Sequence, residues 1–318
     1  MGVAMDFPPL DFSKIRTYPL RERTNKVGVA AFASPHRAGI TFAQWIAHLP
    51  KFLAASDLLT LRDRIVTAVR ERRPVLLMMG AHPIKVGLNP ILVDQMRAGV
   101  ISAVAFNGAG GIHDFELAYQ GGTSEDVQSG LDDGTFGMVE ETGRLMNAAL
   151  ESGVAQGLGA GRALGEAILK AGYPHRDLSI LHTGVEQNIP VTCHIAIGTD
   201  ILHQHPTADG AILGEATHLD FQRLASVIAR LEGGVVLNVG SAVVMPEVFL
   251  KALTVARNLG HTVSHFTAAN FDMLRHYRPL ENIVRRPTRL GGEGYSITGH
   301  HEIMIPLLFA AVREELAA

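Results

Sequence analysis

The sequence predicts an α/β fold built on a mainly parallel sheet, and two observations carry that expectation. Short apolar runs recur along the chain, each ending in a loop of small residues and leading into an amphipathic stretch. Strands separated by helical patterns imply βαβ units whose strands all point the same way. The composition agrees, because 47% hydrophobic and 19% charged residues in a chain of 318 suffice for a sizeable core.

Residues 1–38 mix Pro, Arg and Lys with weak periodicity and are expected to form an arm that wraps the body or a neighbouring subunit. Residues 39–318 hold no fixed-period repeat and no low-complexity linker, so a single α/β domain is expected there. From Thr41 to Arg72 the apolar residues Phe42, Trp45, Ile46 and Leu49 recur at helical steps. Pro74–Met79 reads as a strand ending in Gly80-Ala81-His82-Pro83. The next helix is expected at Asn89-Pro90, with Asn89 as cap and Pro90 in the first helical position. Val100–Phe106 is a strand ending in Asn107-Gly108-Ala109-Gly110-Gly111, with Ile112–Tyr119 following. Phe136–Ala171 reads as helix interrupted by glycines, and Ile189–Ile197 as another strand. Gly234–Asn238 runs into Val239-Gly240-Ser241 and a helix over Pro246–Asn258, while Thr262–Phe266 runs into Thr267-Ala268-Ala269-Asn270.

The net charge of −3, without a run of Lys or Arg, argues against nucleic acid or an anionic membrane as the partner. Met1–Asp11 lacks the pattern of a signal peptide, and no apolar stretch approaches the ~18 residues of a membrane span. A cytoplasmic protein is expected. Cys193 is the only cysteine, which excludes an internal disulfide and a CxxC zinc framework, and it is expected to be a small buried hydrophobe.

Parallel sheets bind ligands beyond the carboxyl ends of their strands, where four loops of small residues fall here. Asn107–Gly111 is the richest: its glycines let backbone approach a phosphate, and the amides opening the next helix point at the anion. Asp114 and Glu116 follow and could accept hydrogen bonds from a ribose or a cationic substrate. The run does not match GxGxxG. The 15 histidines support a competing reading, a metal-dependent hydrolase or lyase. His194, His203 and His205 lie close in sequence, and His82, His113, His300 and His301 fall at strand ends or helix starts, but HExxH is absent. Of the lysines only Lys85 lies in such a loop, where it could form an imine or hold a phosphate.

These loops, in this order, resemble the deoxyhypusine synthase-like family from about residue 74 to 312. Gly80–Pro90 resembles the family's first nucleotide loop, and Asn107–Asp114 its Thr-Ala-Gly-Gly-Ile-Glu-Glu-Asp segment. Asn188–Val191 with Gly198-Thr199-Asp200, Gly233–Leu250, Thr267–Asp272 and Ile303–Leu308 resemble later blocks in turn. The resemblance implies a Rossmann-like, doubly wound, mainly parallel sheet that binds NAD and assembles as a homo-oligomer. It implies NAD contacts at Gly80, Ala81, His82, Lys85, Asn107, Gly108, Gly110, Gly111, Asp114, Thr199, Asp200, Gly240, Ser241, Thr267, Ala268, Asp272, Gly299 and His300.

The chemistry departs from the family. Its active-site lysine has no counterpart, since Met273–Thr298 contains no lysine and holds Arg275, Arg278, Arg285, Arg286 and Arg289 instead. An arginine cannot form the imine. The family's histidine after the Gly-rich strand is also missing, because Ser241–Glu247 reads SAVVMPE. The expectation is therefore an NAD-dependent dehydrogenation or group transfer on a small amine or amino acid, rather than the deoxyhypusine reaction. Oxidation of a C–N or C–O bond needs a base, for which His113, His203 and His301 are the candidates. The arginines point to an anionic or zwitterionic substrate. A non-catalytic nucleotide sensor is the third reading.

Overall fold

The computed structural model describes residues 5–318. Its centre is one six-stranded sheet, all parallel, in the order β3-β2-β1-β4-β5-β6. The strands are β1 (Val75–Met79), β2 (Ala103–Asn107), β3 (Val191–His194), β4 (Val235–Val239), β5 (Thr267–Asp272) and β6 (Glu293–Thr298). The α/β class and the doubly wound, parallel sheet match the expectation.

The central strands are apolar throughout because helices cover both faces. Alternate side chains go to opposite sides. Leu77, Met79, Val104, Phe106 and Leu237 pack in one core cluster, and Leu76, Met78, Ala105 and Val236 in the other. The first face is covered by α2 (Leu53–Arg70), α4 (Asn89–Arg97), α5 (Gly108–Gln120), α8 (Ala160–Ala171) and α13 (His301–Ala317). The second is covered by α10 (Gly210–Ile228) and α11 (Val244–Asn258). The remaining helices are α1 (Phe42–Ala47), α3 (His82–Lys85), α6 (Val127–Asp133), α7 (Glu140–Val154), α9 (Ile180–Glu186) and the single turn α12 (Tyr277–Pro279).

Several boundaries differ from the sequence reading for identifiable reasons. The stretch predicted as helical from Thr41 is two helices: a capping box between Thr41 and Gln44 starts α1, and the chain breaks at His48–Phe52, where Pro50 stands. Asn89 does not cap α4. Its side chain instead donates to Asp114 Oδ1 at 2.8 Å and to the Leu178 carbonyl at 3.0 Å. The glycine-interrupted segment resolves into α7 and α8, broken where Gly157 adopts φ +71°. Strand β5 begins at Thr267, where the sequence reading ended it, and β6 was not foreseen. Being half-exposed on the sheet edge, β6 (EGYSIT) lacks the apolar run that marks a buried strand.

Of the predicted arm, residues 1–4 lie outside the described residues. Residues 5–30 form three short 3-10 turns with exposed side chains and no partner in the body. Contact begins only near its end, where Lys51 N–H donates to Ala31 O at 2.9 Å and Phe32 meets Phe52.

Candidate active site

Between β1 and β4 the strand order reverses, since the chain leaves β1 toward β2 and returns to the other side of β1 as β4. In an open parallel sheet such a reversal marks the usual ligand position, a crevice outside the carboxyl ends of the strands. A Cβ on Gly80 would collide with the carbonyl oxygen of Gly240, so glycine is needed for the two strand ends to meet. The ring of His301 lies against Gly240 and edge-on to His82, with centroids 5.3 Å apart. His301 Nε2–H donates to the Phe271 carbonyl at 3.1 Å, which makes Nδ1 an acceptor. That Nδ1 is buried and has no partner. Burial lowers the His301 pKa and keeps the ring neutral. Nearby, Asp272 closes β5 and faces His276 at 4.0 Å, while His300 is exposed beside Glu302 at 3.8 Å.

Beside this crevice, over the ends of β2 and β3, lies a pocket of about 450 Å³. Lys85 of α3, Ala109, Ile112, His113 and Glu116 of α5, and Thr199–Ile201 line it, closed over by Thr123–Glu125 and Val127. Asp200 sits at the start of α5. Its carboxylate lies against Gly108, where a Cβ would collide with it. Asp200 Oδ2 is buried without a partner, and burial raises the pKa of this carboxyl. One step along, Asn107 Oδ1 accepts the Gly110 N–H at 3.0 Å. The expected phosphate cradle is thus already filled, since the Asp200 carboxylate lies against Gly108 and Asn107 takes an amide that a phosphate would use.

On the facing turn of α5, His113 Nδ1 lies 2.6 Å from Thr123 Oγ1. Thr123 Oγ1 donates to Glu116 Oε2 at 2.5 Å, and Thr142 Oγ1 donates to Glu116 Oε1 at 2.9 Å. Burial lowers the His113 pKa; Glu116 opposes that shift and Lys85 adds to it. Thr123, Glu125 and Thr142 were not among the expected site residues. They come from a loop and from α7, and carry no motif that a sequence reading could find.

The structure brings Lys85, His113, Thr199 and Asp200 together in the pocket, and places Gly80, Ala81, His82, Gly240, Ser241, Asp272, Gly299, His300 and His301 around the crevice ends. Other expected residues stand elsewhere. Asp114 is fully buried and accepts from Asn89, Ser179 and the amides of Ile180 and Leu181, so its lone pairs serve the fold. Thr267 and Ala268 open β5 at the amino end of the sheet, the side away from the crevice. Gly110 and Gly111 pack against Phe106 and Cys193. His203 Nδ1 accepts the Gly198 N–H at 2.9 Å, a loop-fixing role. None of the five arginines that suggested an anionic substrate lines this pocket, and three are paired elsewhere: Arg278 with Glu247 at 3.4 Å, and Arg285 and Arg286 with Glu281 at 2.8 and 3.7 Å. Cys193 is buried and its thiol pKa is pushed up by that burial. Among the described residues no group of three or more His, Cys, Asp or Glu side chains is placed to hold a metal ion.

No family model and no curated protein matches the sequence. Solved structures do match in fold. A LOR/SDH-type protein from Methanococcus maripaludis S2 aligns with TM-score 0.54 at 12% identity, over 83% of this chain and 69% of that one. AgrE in ternary complex with ornithine and NAD+ aligns with TM-score 0.53 at 12% identity, over 82% of this chain and 33% of that one. A deoxyhypusine synthase candidate from Entamoeba histolytica also matches, at 11% identity over 86% of this chain and 93% of that one, with TM-score 0.49. The chain shares its parallel α/β fold with the first two of these structures. At these identities the likeness speaks to fold alone, and the chain spans about a third of the length of AgrE. Among the described residues, no helix of this fold is long and apolar enough to cross a membrane.

Proposed function

We propose that the protein is an NAD-binding enzyme that dehydrogenates, or transfers a group from, a small zwitterionic amine or amino acid. The observation that carries this reading is the pocket of Lys85, His113, Glu116 and Asp200 opening beside the strand-order reversal between β1 and β4. The residues at the reversal fit a dinucleotide. The unpartnered acceptor His301 Nδ1, beside the strand ends at Gly80 and Gly240, suits a ribose hydroxyl or a carboxamide N–H. Bound there, NAD would supply the hydride acceptor. Asp200 and Glu116 suit an ammonium group and Lys85 a carboxylate, which replaces the arginine argument with one from the pocket itself. AgrE, of whose chain the match covers 33%, forms a ternary complex with ornithine and NAD+, which is in keeping with the reading. A homo-oligomer and a cytoplasmic location belong to the same proposal.

Calorimetric titration of metal-free protein with NAD, NADP and ADP-ribose tests it. Saturable NAD binding is expected, lost when Ala81→Glu sets a carboxylate at the crevice while thermal unfolding stays cooperative. Amines and amino acids are then screened for NADH formation. Folded protein that binds none of the three nucleotides overturns the reading.

A further inference from the structure

We propose that His113 is the acid–base residue of the pocket, with Nε2 fixed as its proton-accepting atom by a Glu116–Thr123–His113 chain. The proposal rests on the function above for what the base acts upon; the chain itself rests on hydrogen bonding alone.

Thr123 has one hydroxyl proton and two close neighbours, Glu116 Oε2 at 2.5 Å and His113 Nδ1 at 2.6 Å. A carboxylate only accepts, so the proton goes to Glu116. Thr123 Oγ1 can then only accept from His113, which places the ring proton on Nδ1. A neutral imidazole carries one proton, so Nε2 is left as a bare lone pair. The other oxygen of Glu116 is held by Thr142 of α7 at 2.9 Å, so the end of the chain is fixed from two elements. The ring lines the pocket, and Nε2 has no protein partner yet is not among the buried unpartnered atoms.

The same accounting separates His113 from the other two candidates. His203 Nδ1 is engaged by a backbone N–H, and His203 is not among the residues that line the pocket. His301 has its bare Nδ1 buried in the crevice. His113 alone of the three offers the pocket an accessible accepting nitrogen. An amine or hydroxyl bound there gives its proton to Nε2, and the imidazolium that forms faces Glu116 through the Thr123 hydroxyl. Lys85, on the same pocket wall, disfavours that cation and so helps return the proton; Glu125 and Asp200 are the other titratable groups lining the pocket.

The test is nitrogen NMR on protein labelled at histidine, with the His113 resonances assigned by their loss in His113→Gln and checked by through-bond correlations. In the wild type at neutral pH, Nδ1 is expected in the protonated range and Nε2 in the bare range, with a titration midpoint below the ordinary 6.5. Thr123→Val is expected to collapse that preference toward a mixture of tautomers, and Thr123→Ser to keep it. A wild-type ring protonated on Nε2, or a tautomer unmoved by Thr123→Val in folded protein, overturns the proposal. These outcomes do not depend on NAD. A correct tautomer without nucleotide binding sinks the proposed function and leaves the chain standing; nucleotide binding with the opposite tautomer does the reverse. Where turnover is found, the acid limb of kcat against pH is expected to follow the His113 midpoint and to shift in Thr123→Val.

Discussion

Buried carboxylates that do not line the candidate active site carry the clearest pH signal at the scale of single residues. Asp220 of α10 is 3% exposed, and its Oδ2 accepts the amides of Gly161 and Cys193, each at 2.7 Å. Burial nevertheless dominates and raises its pKa from 3.8 to about 7. A carboxyl raised on folding stabilises the native state fully below its unfolded pKa, and that contribution is lost as pH rises through the folded value. The window therefore runs from 3.8 to about 7. His194 behaves oppositely. Its pKa falls from 6.5 to about 4 on burial, so its contribution is present above 6.5 and is lost as pH falls toward 4. Asp220→Asn keeps an acceptor for the two amides and removes the titration. Its urea midpoint relative to wild type is expected to rise between pH 5 and pH 8, by an amount worth at most about 3 kcal/mol. Parallel curves at the two pH values would remove Asp220 from the account. Neither the burial of Asp220 nor that of Asp114 could be read in advance, because each depends on amides brought from distant parts of the chain.

Elements were readable where local pattern and final environment agree. The runs at Val75–Met79 and Val235–Val239 are buried on both faces, so an apolar stretch closed by small residues announced them. Strand β6 failed that test because an edge strand shares its surface with solvent, and β5 was displaced because Thr267-Ala268-Ala269-Asn270 looks like a loop until β4 and β6 pair with it. Asn107 shows the same ambiguity from the other side. The residue type that suggested a nucleotide contact is here the N-cap of α5, accepting from Gly110 N–H at 3.0 Å. Asn107→Ala is expected to lower stability by about 1 kcal/mol in chemical denaturation, and Asn107→Ser to restore most of it. A neutral Asn107→Ala would mean that the cap contributes nothing to the stability of α5.

At the scale of the molecule, local pattern supplied the class of fold but not the strand order, because parallel neighbours are paired by segments far apart in sequence. The reversal between β1 and β4, and hence the position of the crevice, had to come from the structure. The arm poses the remaining question at this scale. Between Met5 and Phe32 it exposes ten large apolar side chains, among them Phe7, Leu10, Phe12 and Leu20. A soluble monomer seldom exposes a contiguous apolar patch beyond about 300–600 Å², and larger surfaces are normally covered by a partner. The same segment carries Lys14, Arg16, Arg21, Arg23 and Lys26 against Asp6, Asp11 and Glu22, so it meets a surface with some acidic character most favourably. Sedimentation velocity is therefore expected to show a species heavier than one chain at micromolar concentration. The paired substitution Phe12→Asp and Leu20→Asp is expected to shift it to the mass of a single chain with circular dichroism unchanged, because neither side chain is buried in the body of the fold. Should wild type and variant both sediment as single chains, the arm does not hold copies of this chain together, and its apolar face must serve some other contact.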